Sequence, residues 1–144
     1  MAPTPKLTGL LLRLVYQHYA ADIHAALHDA GFGDIRPAHA NVFPFVGPDG
    51  ITVSGLAELA GVRKQTMAQA VEQLERMGYV ERRPNPDDGR SRLVFLTERG
   101  AAVKPVTHAT AARVEEHWAD LTSPDELDAL RSSLLHLLTE LRAE

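Results

Sequence analysis

The chain has 144 residues, no cysteine and a formal net charge of −4. Its length corresponds to one domain that can bury its own core, and the lack of cysteine excludes disulfides, thiolate nucleophiles and Cys-ligated zinc. No apolar run approaches the roughly 20 residues of a membrane span, and the N-terminus lacks secretory-signal features. The sequence therefore predicts a cytoplasmic protein without a membrane partner. The acidic charge alone argues against a nucleic-acid partner, since phosphate binding requires positive charge.

The charge is unevenly distributed along the chain. Residues 63–104 carry nine basic and six acidic side chains, a local charge of +3, whereas residues 1–62 and 105–144 carry −2 and −5. A solvated face with salt bridges accounts for this pattern as readily as a phosphate-binding surface does. The middle segment is therefore the part of the chain whose charge suits contact with nucleic acid.

Apolar residues at four-residue spacing predict a long first helix over residues 7–30. Its stripe consists of Leu11, Val15, Tyr19, Ile23 and Leu27. A shorter second helix is predicted from Pro37, with Pro44 expected to end it. A turn at residues 47–50 and a short β-prone run at residues 51–53 follow.

The middle of the chain predicts two short helices and a hairpin. Ser54 is expected to cap a helix that ends at Gly61. The next helix runs over residues 64–77, with a buried face of Met67, Ala70, Val71 and Leu74. Strands over residues 79–83 and 92–96 then form a hairpin with a wide loop. Helix, Gly-containing turn, helix and hairpin in this order are typical of a winged helix-turn-helix.

The C-terminal part predicts two helices. Thr97 caps one that Pro105 is expected to bend, and Ser123 caps the last, whose apolar side is rich in leucine. The apolar stripes at both chain ends are long for a 144-residue monomer to cover, which indicates a deep core or a subunit interface. The predicted fold is mainly α with a small β-hairpin wing, with residues 37–100 as a winged helix-turn-helix domain between dimerisation helices at residues 1–36 and 101–144.

The predicted third helix and hairpin carry side chains suited to DNA. The outward face of the helix has small or polar groups that can reach base edges in the major groove: Lys64, Gln65, Thr66, Ala68, Gln69 and Gln73. The hairpin carries Arg82, Arg83, Arg90 and Arg92, and an arginine near a loop tip is suited to the minor groove. A hairpin with solvated arginines and a winged helix that binds a protein are the alternatives.

These residues resemble the MarR family of bacterial winged-helix transcriptional regulators. The resemblance is carried by LAELAGVRKQTM at residues 56–67, LERMGYVERR at 74–83, NPDDGR at 85–90 and LVFLTERG at 93–100. The last segment looks like the Leu-Thr-x-x-Gly signature between the wing and the next helix. The order of six helices and one wing is also similar, so the resemblance covers nearly the whole chain.

The resemblance implies a set of DNA-binding roles. Residues 64–77 become the recognition helix, in which Lys64, Gln65, Thr66, Gln69 and Gln73 read or approach the major groove. In the wing, Asp88 is expected to hold the Arg90 guanidinium in a bidentate pair aimed at the minor groove, with Arg82 and Arg92 supporting contact with the phosphate backbone. Two positions depart from the family pattern: Arg63 replaces a Ser or Thr cap, and Gly89 stands where a second wing arginine is common.

The resemblance further implies a homodimer on double-stranded DNA, with a pseudo-palindromic site and two recognition helices about 34 Å apart. It also implies a small aromatic or anionic effector. Candidate pocket residues are Tyr16, Tyr19, His39 and Phe43. The alternative is that Tyr19 and Phe43 are core residues and that His39 lies at the surface or is hydrogen-bonded. The predicted function is that of a repressor that releases DNA when the effector binds.

Other functions have weaker support in the sequence. His24 and His28 share a helix face at a spacing suited to a transition metal, but no third ligand is near in sequence, so a metal-responsive regulator remains an alternative and no metal or cofactor is expected. The chain lacks a Gly-x-Ser-x-Gly elbow, a phosphate-binding glycine loop and a His-Glu-x-x-His motif. The sequence therefore predicts that the protein is not an enzyme.

Overall fold

A computed structural model describes all residues from Met1 to Glu144. Its elements are α1 (Thr8–Asp29), two 3₁₀ turns (Pro37–Asn41 and Phe43–Phe45), α2 (Val53–Ala60), α3 (Lys64–Arg76), β1 (Val80–Asn85), β2 (Asp88–Leu96), α4 (Glu98–Ala101), α5 (Val103–Leu121) and α6 (Pro124–Ala143). β1 and β2 form one antiparallel hairpin, called the wing below. The mainly helical fold with a hairpin wing is confirmed. None of the helices has the length and apolarity that crossing a membrane requires.

Side-chain caps begin three of the helices. Thr97 Oγ1 and Ser123 Oγ each accept the backbone N–H three residues ahead, both at 3.1 Å, as predicted. At α2 the predicted cap was wrong, because Thr52 rather than Ser54 accepts the N–H of Gly55, at 3.1 Å. The extended backbone of Thr52, with ψ of 157°, directs its oxygen toward the first turn, as a cap requires.

The predicted second helix is replaced by the two 3₁₀ turns. Pro44 lacks the N–H that an α-helix through residues 37–45 would need. Burial of Val42 and Phe43 against the core holds the chain in the tighter turns. The β-prone run at residues 51–53 contributes only an isolated bridge between Ile51 and Val94.

The wing is longer than predicted and its loop is short. Asn85 pairs with Asp88, so only Pro86 and Asp87 connect the strands, instead of the expected wide loop. An irregularity in the register between Pro84 and Asn85 accommodates the tight connection. The tip therefore projects as ordered strand rather than as a flexible loop.

One apolar core joins the C-terminal half of α1, the 3₁₀ turns, α2, α3, the wing base and α5. The predicted inner face of α3, formed by Met67, Ala70, Val71 and Leu74, is fully buried there. Because side chains of a helix point outward in all directions, burial of this face orients the opposite face of α3 toward solvent.

The two chain ends lie largely outside this core. Leu27 is the one fully buried residue of α1, and α6 has none over its 20 residues. Large apolar side chains therefore remain exposed along both helices: Leu11, Leu12, Val15 and Tyr16 on α1, and Leu130, Leu134, Leu135, Leu137, Leu138 and Leu141 on α6.

Candidate nucleic-acid interface

The outward face of α3 is polar and continuous. Every residue predicted to read the major groove is exposed: Lys64, Gln65, Thr66, Gln69 and Gln73. The small Ala68 lies among them and leaves room for another molecule to approach the helix closely. Arg63 precedes the helix in an extended conformation and makes no side-chain cap, which leaves its guanidinium exposed at the start of the same face.

The predicted bidentate pair between Asp88 and Arg90 does not form. Asp88 Oδ1 instead accepts the backbone N–H of Arg90 at 3.0 Å, and the Arg90 guanidinium takes part in no ion pair. A short acidic side chain readily bonds the backbone two residues ahead, and the tight connection brings the two groups together. Asp88 thus shapes the backbone of the tip, while Arg90 remains exposed and free to contact an anion.

The Arg82 guanidinium is hydrogen-bonded to α3 and does not extend freely into solvent. Its Nη2 and Nε donate to Glu75 Oε1 at 2.8 Å and Oε2 at 3.3 Å, joining the wing to α3. The hydrogen bond from Arg82 lowers the pKa of Glu75, and the same contact raises the pKa of Arg82. Arg92 is exposed and donates to the Arg82 carbonyl at 3.1 Å.

Arg83 is also engaged within the wing. Its guanidinium pairs with Glu81 and stacks 4.2 Å from the centre of the Phe95 ring. The wing arginines without an acidic partner are therefore Arg90 and Arg92.

A polar network that the sequence did not predict braces the end of α3. The Tyr79 hydroxyl donates to Asp34 Oδ1 at 2.5 Å, and Arg99 donates to Asp34 Oδ2 at 3.2 Å and to the Met77 carbonyl at 2.5 Å. The hydrogen bond from Tyr79 lowers the pKa of Asp34, whereas burial, followed by the bond to Asp34, raises the pKa of Tyr79 to about 12. Residues so distant in sequence give no local signal of this contact.

A cavity of about 650 Å³ lies between α1, the 3₁₀ turns and α5. Tyr16, Tyr19 and Phe43 line it, as the ligand hypothesis requires, but His39 does not. Burial, followed by the proximity of Tyr16 and Glu115, raises the pKa of Tyr19. Aromatic side chains therefore line the cavity both from α1 and from the 3₁₀ turns.

Sequence reasoning missed the basic groups of this cavity. Arg36, Lys104, His24 and His108 all line it, and Lys104 Nζ donates to the Val46 carbonyl at 2.9 Å. Lys104 and His108 lie four residues apart on α5, a spacing that could have suggested a shared face. His28 does not join His24 in the cavity and lies beside Asp29, with Nδ1 and Oδ1 3.8 Å apart.

A MarR family model matches residues 34–91, from the loop before the 3₁₀ turns to the wing. An uncharacterized protein of Mycobacterium tuberculosis is 35% identical over 94 residues, which span 65% of this chain and 66% of that protein. Apo wild-type MarR from E. coli is 26% identical, with a TM-score of 0.73 over 94% of this chain and 99% of that one. A mutant of MepR from S. aureus bound to an oligodeoxyribonucleotide has the same fold, with 18% identity and a TM-score of 0.60 over 95% and 99% of the two chains.

The chain belongs to the MarR family. Its fold is that of winged-helix transcriptional regulators, with α2 and α3 as the helix-turn-helix and β1–β2 as the wing.

His39 has a different position in this MarR protein from the one predicted. It is buried in the first 3₁₀ turn, with 2% of its surface exposed, and faces α3 rather than the cavity. Its Nδ1 accepts the backbone N–H of Arg36 at 3.0 Å, and its Nε2 lies 2.7 Å from Gln73 Oε1. The histidine therefore connects the 3₁₀ turn to a candidate DNA-reading side chain.

Proposed function

We propose that this MarR protein is a sequence-specific DNA-binding regulator that acts on a pseudo-palindromic duplex as a homodimer. The observation that carries the proposal is the outward face of α3, where polar side chains lie opposite a fully buried apolar face. DNA binding by the MepR mutant of the same fold supports it. The local charge of +3 over residues 63–104 supplies attraction to phosphate despite the acidic whole.

In this proposal the two elements have different tasks. Lys64, Gln65, Thr66, Gln69 and Gln73 approach base edges in the major groove. Arg90 enters the minor groove and Arg92 contacts phosphate, since both guanidinium groups are exposed. Arg82 supports the phosphate contact indirectly, because its pairing with Glu75 sets the position of the wing relative to α3.

The wing assignment is tested by Arg90→Ala in fluorescence anisotropy with a duplex from the region upstream of the gene. We expect the affinity to fall several-fold or more. The slope of log affinity against log salt should decrease by about one, because one cation is removed from the phosphate interface. Lys6→Ala is the control, because it removes the same charge from an exposed site outside the wing. Equal reductions in affinity in the two variants, or none in Arg90→Ala, would reject the assignment.

The homodimer is supported by the uncovered faces of α1 and α6. A 20-residue helix with no buried side chain requires a partner surface to bury its leucines. Residues 1–36 and 101–144 would form the dimer, and a two-fold axis would place the recognition helices of residues 37–100 about 34 Å apart.

Leu138→Glu tests the dimer by placing a charge within the exposed leucines of α6. Sedimentation velocity should show twice the 15.8 kDa chain mass for the wild type and a shift toward the monomer for the variant. Leu138→Met, which conserves the side-chain volume, should remain dimeric. A monomeric wild type would reject the dimer.

The cavity supports the further proposal of a repressor that a small aromatic anion releases from DNA. Its tyrosines and Phe43 offer contacts for a ring, and Arg36 and Lys104 offer positive charge for a carboxylate or phenolate. Such a ligand regulates DNA binding only if it prefers one spacing of the two recognition helices.

Benzoate is a suitable first probe of the cavity. We expect it to raise the melting temperature of the wild type and to weaken its binding to the upstream duplex, and Lys104→Met should reduce both effects. Since Lys104 also bonds the Val46 carbonyl, the melting temperature of the variant without benzoate is the control. Tighter DNA binding with benzoate would contradict release by the ligand.

A further inference from the structure

The contacts of His39 determine which ring nitrogen carries its hydrogen. Nδ1 accepts the N–H of Arg36 at 3.0 Å, so in the neutral ring Nδ1 has no hydrogen and Nε2 has one. Nε2 is then a donor, and its partner at 2.7 Å must be an acceptor, the Oε1 atom of Gln73. The histidine thereby also settles which way the Gln73 amide is turned.

The surroundings of His39 hold the ring in place. Pro37 begins its 3₁₀ turn, and the following Val42 and Phe43 are buried in the core. His39 itself is buried, whereas Gln73 is exposed on α3. The buried imidazole therefore draws the amide oxygen inward and leaves the NH₂ group of Gln73 on the exposed side.

A glutamine held in this way differs from a free one in what it can read. A free glutamine uses its oxygen and NH₂ together in a bidentate contact with adenine N6 and N7. Guanine presents two acceptors in the major groove, O6 and N7, and no donor there. An amide that offers only its NH₂ group is matched to guanine.

We propose that His39 is a positioning residue that makes Gln73 a donor-only reader with a preference for guanine over adenine. The inference rests on the proposed DNA binding by α3. It assigns His39 to specificity, in place of the ligand contact that the sequence suggested.

The test is selection of duplexes from a randomised library by the wild type and three variants. Gln73→Ala removes the reader. His39→Asn keeps an acceptor near the Nδ1 position for Arg36, but its shorter side chain places no donor at the Nε2 position. His39→Gln places an amide nitrogen near the Nε2 position. We expect one guanine position per half-site in the wild type that loses its preference in Gln73→Ala.

The two histidine variants should then differ in their base preference at this position. His39→Gln should retain the guanine preference. His39→Asn should lose it or shift it to adenine, by about 5- to 150-fold in relative affinity if a full bidentate contact is exchanged. Thermal melting of each variant checks that it is folded. A Gln73-dependent adenine in the wild type, no Gln73-dependent position, or an unchanged motif in His39→Asn would each overturn the inference.

An independent measurement covers the case in which His39→Asn does not fold. The ¹⁵N chemical shifts of the wild-type imidazole should show a protonated Nε2 and an unprotonated Nδ1, and the opposite tautomer would overturn the inference. A wild type that selects no motif would reject the proposed DNA reading as well, whereas a wild-type motif unaffected by Gln73 or His39 would reject the positioning role alone.

Discussion

Replacing Gly100 with alanine tests how closely the wing base must approach the start of the C-terminal helices. A Cβ atom at position 100 would lie 2.0 Å from the Tyr79 carbonyl oxygen and 3.4 Å from Leu96 Cβ. The same carbonyl accepts the Thr97 N–H at 3.1 Å, and the Gly100 N–H donates to Thr97 Oγ1. Because the obstructing atom belongs to the backbone, a side-chain rotation cannot relieve the clash.

The size of the effect follows from these distances. Cβ contacts below 3.0 Å are essentially never found, so the backbone at Tyr79 and α4 must separate by about 1 Å. Such overpacking costs about 1–3 kcal/mol, and breaking the Thr97–Tyr79 hydrogen bond adds about 1 kcal/mol. We expect Gly100→Ala to lower the free energy of unfolding by about 2–4 kcal/mol and the melting temperature by about 5–15 °C.

Circular dichroism at 222 nm during heating measures this change, with the chain concentration held constant because an oligomer melts in a concentration-dependent way. Gly47→Ala is the matched control, since no atom lies within 4 Å of its added Cβ. If Gly100→Ala melts within about 2 °C of the wild type, or no lower than Gly47→Ala, the reasoning from the close approach is wrong.

Three further changes test the contacts that hold α3 in place. The hydrogen bond from Tyr79 lowers the pKa of Asp34, so this contact stabilises the fold above about pH 4 and the stabilisation is lost as the pH falls through the lowered pKa. In urea unfolding at a series of pH values, Asp34→Asn should reduce the loss of unfolding free energy at acid pH. The reduction should be less than about 1 kcal/mol, because the pair is partly exposed. A variant that loses as much unfolding free energy at acid pH as the wild type would contradict this. Leu74→Ala should cost about 2–5 kcal/mol in urea unfolding, since Leu74 is fully buried, and a change below about 1 kcal/mol would contradict its central place. Glu75→Gln should cost up to about 1 kcal/mol, and 1 M salt should destabilise the wild type more than this variant, which lacks the ion pair with Arg82.

In the wing, the secondary structure could be predicted from the sequence, but the side-chain contacts could not. Its strands and its arginines were predicted, because β-prone residues flank a turn-rich segment. The expected Asp88–Arg90 ion pair was wrong, since the length of the connection decides whether the carboxylate meets a guanidinium or a backbone N–H. Arg82 gave no sequence signal for its bond to Glu75, which depends on how the wing packs against α3.

In the cavity, the aromatic lining could be predicted from the sequence, but the basic lining could not. Tyr16, Tyr19 and Phe43 were predicted from their places on the first two helical segments and do line it. Arg36 and Lys104, which supply its positive charge, are 68 positions apart, and only the packing of α5 against the 3₁₀ turns brings both to the same cavity.

The sequence by itself determined the long first helix, the order of helix-turn-helix, wing and C-terminal helices, the buried face of α3, two of the helix caps and the basic middle of an acidic chain. These features depend on neighbours within a few residues, where periodicity and capping act. The tertiary structure alone decided that His39 holds Gln73 and that Arg82 is tied to Glu75. Hydrogen-bonding partners across the fold are set by the distances between packed elements, and local sequence does not encode those distances.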